Sequence, residues 1–240
     1  MRPRARSGPG RGARGVTLAL VTGPSRGIGR ATALALAERG VNLVLMGRQS
    51  AELDETGELC AQKVQVSLEH CDLADRTALG AACLHVLASA VPDVIISNAA
   101  VIERRSVELT SLDAWDHQLA VNLRAPFQIA RAFLPALRAR KSGRIIHVGS
   151  ISSTLGSANA AAYAASKWGL TGFTKSLAEE LAGSGVIALV VLPGSVDTEM
   201  LEGSGFAPRM SADDVARTLV HYALDAPLAH NGAVIEMFGV

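Results

Sequence analysis

The sequence predicts an α/β fold: a doubly wound, seven-stranded parallel sheet with helices on both faces, in one domain. Three observations predict it. Short β-rich apolar runs alternate with helical patterns along the chain. Several of those runs are continuously apolar, as expected of strands covered on both faces. The 240 residues contain no repeat and no internal linker, which fits one large domain.

The strand-like runs are 17–22, 42–46, 64–68, 93–97, 144–148, 186–192 and 233–237. Helical patterns fill 27–39, 50–62, 75–90, 111–140, 160–182 and 211–224. Pro126 and Pro135 lie inside the fourth pattern and are expected to bend or shorten that helix. The strand-helix order implies right-handed crossovers.

Residues 1–15 stand apart. They hold five arginines, no acid and no apolar period, so a disordered Arg/Gly/Pro-rich tail is expected there and the folded domain over 16–240. The tail lacks the apolar stretch of a secretory signal, and a cytoplasmic location is expected. Net charge is +1, from 23 Lys and Arg against 22 Asp and Glu. Taking the five tail arginines from the 23 leaves 18 against 22, so the body is −4. An acidic body with 4% aromatic residues argues against nucleic acid as a partner. The longest stretch without a charged residue, Ile145 to Ser166, is rich in Ser, Asn and Gly and makes a poor membrane span. Cys60, Cys71 and Cys83 form no CxxC pair, which argues against a disulfide framework and a metal site.

The first strand runs into Gly23-Pro24-Ser25-Arg26-Gly27-Ile28-Gly29, and a helix follows. Glycines there permit a tight turn and a close backbone approach to a pyrophosphate, which the helix N-terminus stabilises. The second strand ends in Gly47-Arg48, where an NAD site would place an acid. Arg26 and Arg48 instead suit a 2′-phosphate, because guanidinium–phosphate pairs are charge-assisted and often bidentate.

Tyr163 and Lys167 are spaced i, i+4, so both side chains share one helix face. Lowering a phenol pKa from about 10 to about 7 takes about 4 kcal/mol. A positive charge at ~4 Å and an effective dielectric of 20 supplies about that much. Ser150, at the end of the fifth strand, can donate to a carbonyl oxygen and stabilise developing alkoxide charge. Asn122 is polar in an apolar stretch and must find partners if buried.

The TGxxxGxG spacing of Thr22–Gly29 with Asn122, Ser150, Tyr163 and Lys167 resembles the short-chain dehydrogenase/reductase family over 16–240. The resemblance implies a Rossmann-like fold, NADP(H) as cofactor and those four residues as the catalytic tetrad. In it Tyr163 is the acid/base, Ser150 positions the carbonyl oxygen, and Lys167 lowers the phenol pKa and binds the ribose. Asn122 holds a water that links Lys167 to a proton relay. The cofactor positions carried over are Gly23, Ser25, Arg26, Gly27, Ile28, Gly29, Arg48, Asp72, Leu73, Asn98, Ala99, Ala100, Tyr163, Lys167, Pro193, Gly194, Val196 and Thr198. Ala100 replaces the family glycine.

The implied reaction is reversible hydride transfer between NADPH and a ketone or aldehyde, without a metal. Residues 193–200 are similar to those of 3-oxoacyl-[acyl-carrier-protein] reductases, so an acyl carrier protein or CoA thioester is one candidate partner. A short segment between Glu202 and Met210 suits a broad carbonyl reductase equally. Arg138, Arg140 and Lys141 offer a carrier-docking patch or a solvated helix end. Arg104 and Arg105 suit either an anionic substrate or plain solubility. A non-catalytic NADP(H)-sensing or scaffold protein is the competing class, which turnover separates. A homodimer or homotetramer through the helices at 111–140 and 160–182 is expected from the family.

Overall fold

In the computed structural model, which describes residues 17–240, seven strands form one parallel sheet. They are β1 (Leu18–Thr22), β2 (Asn42–Gly47), β3 (Val66–His70), β4 (Val94–Ser97), β5 (Gly143–Val148), β6 (Val186–Pro193) and β7 (Val234–Met237). Their order across the sheet is β3-β2-β1-β4-β5-β6-β7. The tail expected over 1–15 lies outside the described residues.

Each of the five inner strands, β2, β1, β4, β5 and β6, sends alternate residues to two cores. Ala19 and Val21 of β1 join one, and Leu20 joins the other. Both faces are buried, so the period of two vanishes from the hydropathy pattern. The first core packs against α1 (Gly27–Glu38), α2 (Ala51–Ala61) and α7 (Ala212–Val220). The second packs against α3 (Arg76–Ser89), α5 (Ala125–Arg140) and α6 (Ala161–Glu180). Only β3 departs by two residues from the expected strand bounds. It is an edge strand with exposed Ser67 and His70, so its apolar signal is weak.

Helix starts are set by side chains. Ser50 caps α2, Asp75 caps α3, Ser111 caps α4 (Leu112–Leu119), and Ser211 forms a capping box with Asp214 on α7. Each satisfies N–H groups left over by the first turn. No side chain caps α1.

The long helix expected over 111–140 is not broken by its prolines. Between α4 and α5 lies one π-helical turn, Ala120–Arg124, in which Ala125 N–H bonds to Ala120 O five residues back. Pro126 has no N–H for the carbonyl four residues earlier, that of Asn122, and its ring would crowd that carbonyl. Widening the turn relieves the conflict. Pro135 lies inside α5 without ending it.

Among the described residues, no helix is long and apolar enough to cross a membrane. The three cysteines are buried and free. Burial pushes their thiols up to about 11, 11 and 12, which keeps them protonated and unreactive.

Candidate active site

Strand order reverses around β1, whose neighbours are β2 and β4. The chain leaves these two neighbours toward opposite faces, which opens a crevice at the carboxyl ends of the strands. The glycine turn fills one side of it. Gly23 (φ +65°) donates its N–H to Met46 O at 2.9 Å. A Cβ on Gly23 would stand 2.8 Å from Ala99 Cα, and one on Gly29 would stand 2.0 Å from Gly23 O. Gly27 (φ +54°) lies against Thr198, whose Cγ2 would be 3.1 Å from an added Cβ. Around Gly23 and Gly29 main chain approaches main chain, while the Thr198 methyl group closes over Gly27.

Asn98 holds the turn from below. Its Nδ2 donates to Thr22 O and Gly23 O, both at 3.1 Å, and its N–H donates to Thr22 Oγ1 at 3.0 Å. Ala99 N–H shares that hydroxyl at 3.1 Å. Asp72 is exposed and accepts from Ala74 N–H, while Leu73 packs in the second core. Gly194 donates its N–H to Met237 O at 2.8 Å. Val196 is buried and bridges to Met210. Pro193 ends β6, Ser25 and Ile28 complete the turn, and Ala100 is half-buried beside it.

This cradle fits a dinucleotide. An uncapped helix start follows glycines that admit no Cβ, and the crevice opens beside it. Arg48 is exposed and has no hydrogen bond or ion pair among the described residues. Arg26 is not similarly available: it pairs with Glu199, beyond Thr198. That ion pair ties the glycine turn to the segment after β6, 173 residues away in sequence. Nothing in local pattern marks Glu199 as the partner.

The opposite side of the crevice holds the four candidate catalytic residues. Tyr163 is 8% exposed, Lys167 2% and Asn122 0%. Lys167 Nζ donates to Val148 O at 2.8 Å and lies 5.7 Å from the Tyr163 ring centroid. Ser150 Oγ accepts from Ser152 N–H at 3.1 Å and hydrogen-bonds toward the Tyr163 phenol.

One expectation needs correction. The protein's own groups raise the phenol pKa. Burial dominates, and the Ser150 hydrogen bond and the Arg104 charge only oppose it. Burial likewise pushes Lys167 down to about 7. The reason is desolvation of both charged forms, with the ammonium aimed at a backbone carbonyl. The Asn122 side chain is held by protein groups. Its Oδ1 accepts from Val101 N–H at 2.8 Å, and its Nδ2 donates to Val101 O at 2.9 Å and Ser166 Oγ at 3.0 Å. The side-chain amide is committed to protein partners. What remains for a water is the main-chain carbonyl that Pro126 leaves without its usual donor.

Ser166, missed in the sequence, completes this clamp by donating to Tyr163 O at 2.6 Å. A small hydroxyl on a helix carries no distinctive signal, since Ser and Thr often bond back to their own helix.

A family model described as short chain dehydrogenase matches residues 17–206. The chain belongs to the short-chain dehydrogenases. This dehydrogenase is 34% identical over 209 residues to the 3-oxoacyl-[acyl-carrier-protein] reductase of Synechocystis sp., covering 83% of this chain and 82% of the relative. Its fold matches a crystal structure described as an NAD(P)-dependent gluconate 5-dehydrogenase from Beutenbergia cavernae with NADP bound. TM-score is 0.86 and identity 32%, over 92% of this chain and 94% of that one. A second is a 3-oxoacyl-(acyl-carrier-protein) reductase from Agrobacterium tumefaciens C58 with NADP bound. There TM-score is 0.83 and identity 27%, over 93% of each chain.

The basic patch proposed for carrier docking is largely occupied in the dehydrogenase. Arg140 pairs with Asp93 and donates to Val91 O and Pro92 O. Arg138 donates to Glu180 O.

Proposed function

We propose that the protein reduces a ketone or aldehyde to a secondary alcohol with NADPH, and runs in reverse with NADP+. The observation that carries this reading is the joint placement of Tyr163, Ser150 and Lys167 across one crevice from the uncapped glycine turn. NADPH supplies the hydride. Gly23, Gly27 and Gly29 leave room for its pyrophosphate, and Arg48 would meet the 2′-phosphate.

Ser150 orients the substrate oxygen, and the Tyr163 phenol gives it a proton as the carbon is reduced. A phenol whose pKa is raised by burial is fully protonated at neutral pH, which suits the reducing direction. Lys167, one helical turn along the same face and anchored on Val148 O, would bind the cofactor ribose beside the phenol. Asn122 and Ser166 fix the loop at Val101 and the helix at Tyr163.

Among substrates, a 3-oxoacyl thioester is the first class to test, since relatives bearing that name cover most of the chain. A broad carbonyl reductase is the second, favoured by the short segment after Glu202. The assembly is a homodimer or homotetramer. Leu112, Trp115, Phe127 and Trp168 are exposed on α4–α6, and burying them between copies would remove apolar surface from water. Light scattering checks this.

The deciding experiment follows NADPH and NADH oxidation with acetoacetyl thioesters, diketones, aryl ketones and aldehydes. Turnover with NADPH is expected. NADPH binding without turnover on any of them would replace the reductase with the sensing protein.

A further inference from the structure

Arg104 lies on the loop after β4 and is half-buried at the edge of the crevice. Its Nη2 donates to Met200 O at 2.9 Å and its Nε leans toward Glu202 O at 3.5 Å. Both carbonyls belong to the segment that follows β6. The guanidinium therefore bridges two walls of the crevice using main-chain acceptors alone. Among the described residues, no carboxylate lies within ion-pair distance of it.

The neighbouring charges are disposed differently. Arg105, next in sequence, pairs with Glu103. Glu199, on the same segment as Met200, pairs with Arg26. Glu202 is exposed and gives Arg104 only its carbonyl. Nearby acids are thus neutralised or turned to solvent, while Arg104 keeps its full charge and its Nη1 unspent. Its charge also favours the ionised form of the Tyr163 phenol, as the weakest of the three influences on that group. A half-buried guanidinium bonded only to neutral acceptors is under-compensated. A planar anion accepting from its remaining N–H groups would complete it.

We propose that Arg104 anchors a carboxylate on the substrate, so that the preferred substrates are oxo acids with the carbonyl at Tyr163 and the carboxylate at Arg104. This rests on the reading of the chain as a carbonyl reductase. The anchor fixes which end of the substrate enters first and which carbon faces the hydride. The carboxylate itself takes no part in the bond changes.

The test compares oxo acids with their methyl esters, 3-oxobutanoate and 4-oxopentanoate first, by NADPH oxidation. The wild-type kcat/KM should favour the acid over its ester by about tenfold to hundredfold, as for one charge-assisted contact. In Arg104→Gln that ratio should collapse toward one, and Arg104→Lys should restore part of it. The ratio is the readout because unlatching Met200 and Glu202 lowers both substrates together. The acid KM should also rise between about 20 and about 500 mM salt while the ester KM holds. That arm uses wild-type protein alone and stands if the variants fail to fold.

Equal wild-type values for acid and ester, or an unchanged ratio in Arg104→Gln, overturn the anchor and leave the reductase standing. Silence with every carbonyl compound would overturn the reductase instead. Calorimetry of 4-oxopentanoate and its ester with NADP+-saturated protein then decides Arg104 separately. Tighter binding of the acid, lost in Arg104→Gln, supports the anchor; equal affinities refute it.

Discussion

The two sides of the crevice are built on opposite principles. The glycine turn is main chain against main chain: Gly23 against Ala99, Gly29 against Gly23 O. The tetrad side is made of buried polar side chains, each held by partners: Asn122 by Val101 and Ser166, Lys167 by Val148 O. The first side fails when atoms are added, the second when polar atoms are removed. The contrast follows from their tasks. An anion bound by N–H groups needs bare backbone nearby, whereas proton transfer needs a positioned acid shielded from water.

The largest loss is expected on the polar side. Tyr163→Phe should lower kcat by about 10²–10⁴-fold, the usual contribution of a positioned acid, with NADPH affinity nearly intact. Steady-state rates beside a fluorescence titration check this, and near-normal kcat would remove Tyr163 from the chemistry.

Gly29→Ala tests the other side. Its new methyl meets a backbone oxygen, so a cost of about 3 kcal/mol is expected as for a severe overpacking change, with NADPH binding lost. Denaturant unfolding and cofactor titration together measure it.

Arg48→Asp should shift the NADPH/NADH preference by roughly 2–4 kcal/mol, for a lost charged contact plus repulsion. An unchanged ratio of kcat/KM for the two cofactors would exclude Arg48 from the 2′-phosphate. Asn122→Ala strips partners from the Val101 amide and Ser166. Its expected cost is about 2 kcal/mol, as for buried groups left unsatisfied, read as a fall in unfolding free energy.

A further test sharpens the comparison through pH. Folding lowers the Lys167 pKa from 10.5 to about 7. Between those values the unfolded chain holds one more proton than the folded one, so stability rises with pH across that window. The burial penalty is complete below about pH 7 and relieved toward 10.5. Lys167→Met lacks this term. Its melting temperature should gain on wild type at pH 6–7 and lose that advantage by about pH 10. A gap independent of pH would show that Lys167 stays charged when folded.

The strands, the glycine turn and the Tyr163–Lys167 spacing were legible because each is local. A strand shows as an apolar run, a tight turn as glycines, and a shared helix face as a four-residue step. Even there, β3 slipped by two residues, since an edge strand lacks the buried pattern that marks its ends. The tertiary structure decided everything that rests on distant partners. Asn122 meets Val101 and Ser166, 21 and 44 residues away, and Arg26 meets Glu199 173 residues on. Arg104 reaches the carbonyls of Met200 and Glu202 from nearly a hundred positions earlier. Sequence identifies which groups can ionise or hydrogen-bond; only the packed sheet brings their partners within reach and removes the water that would otherwise compete for them.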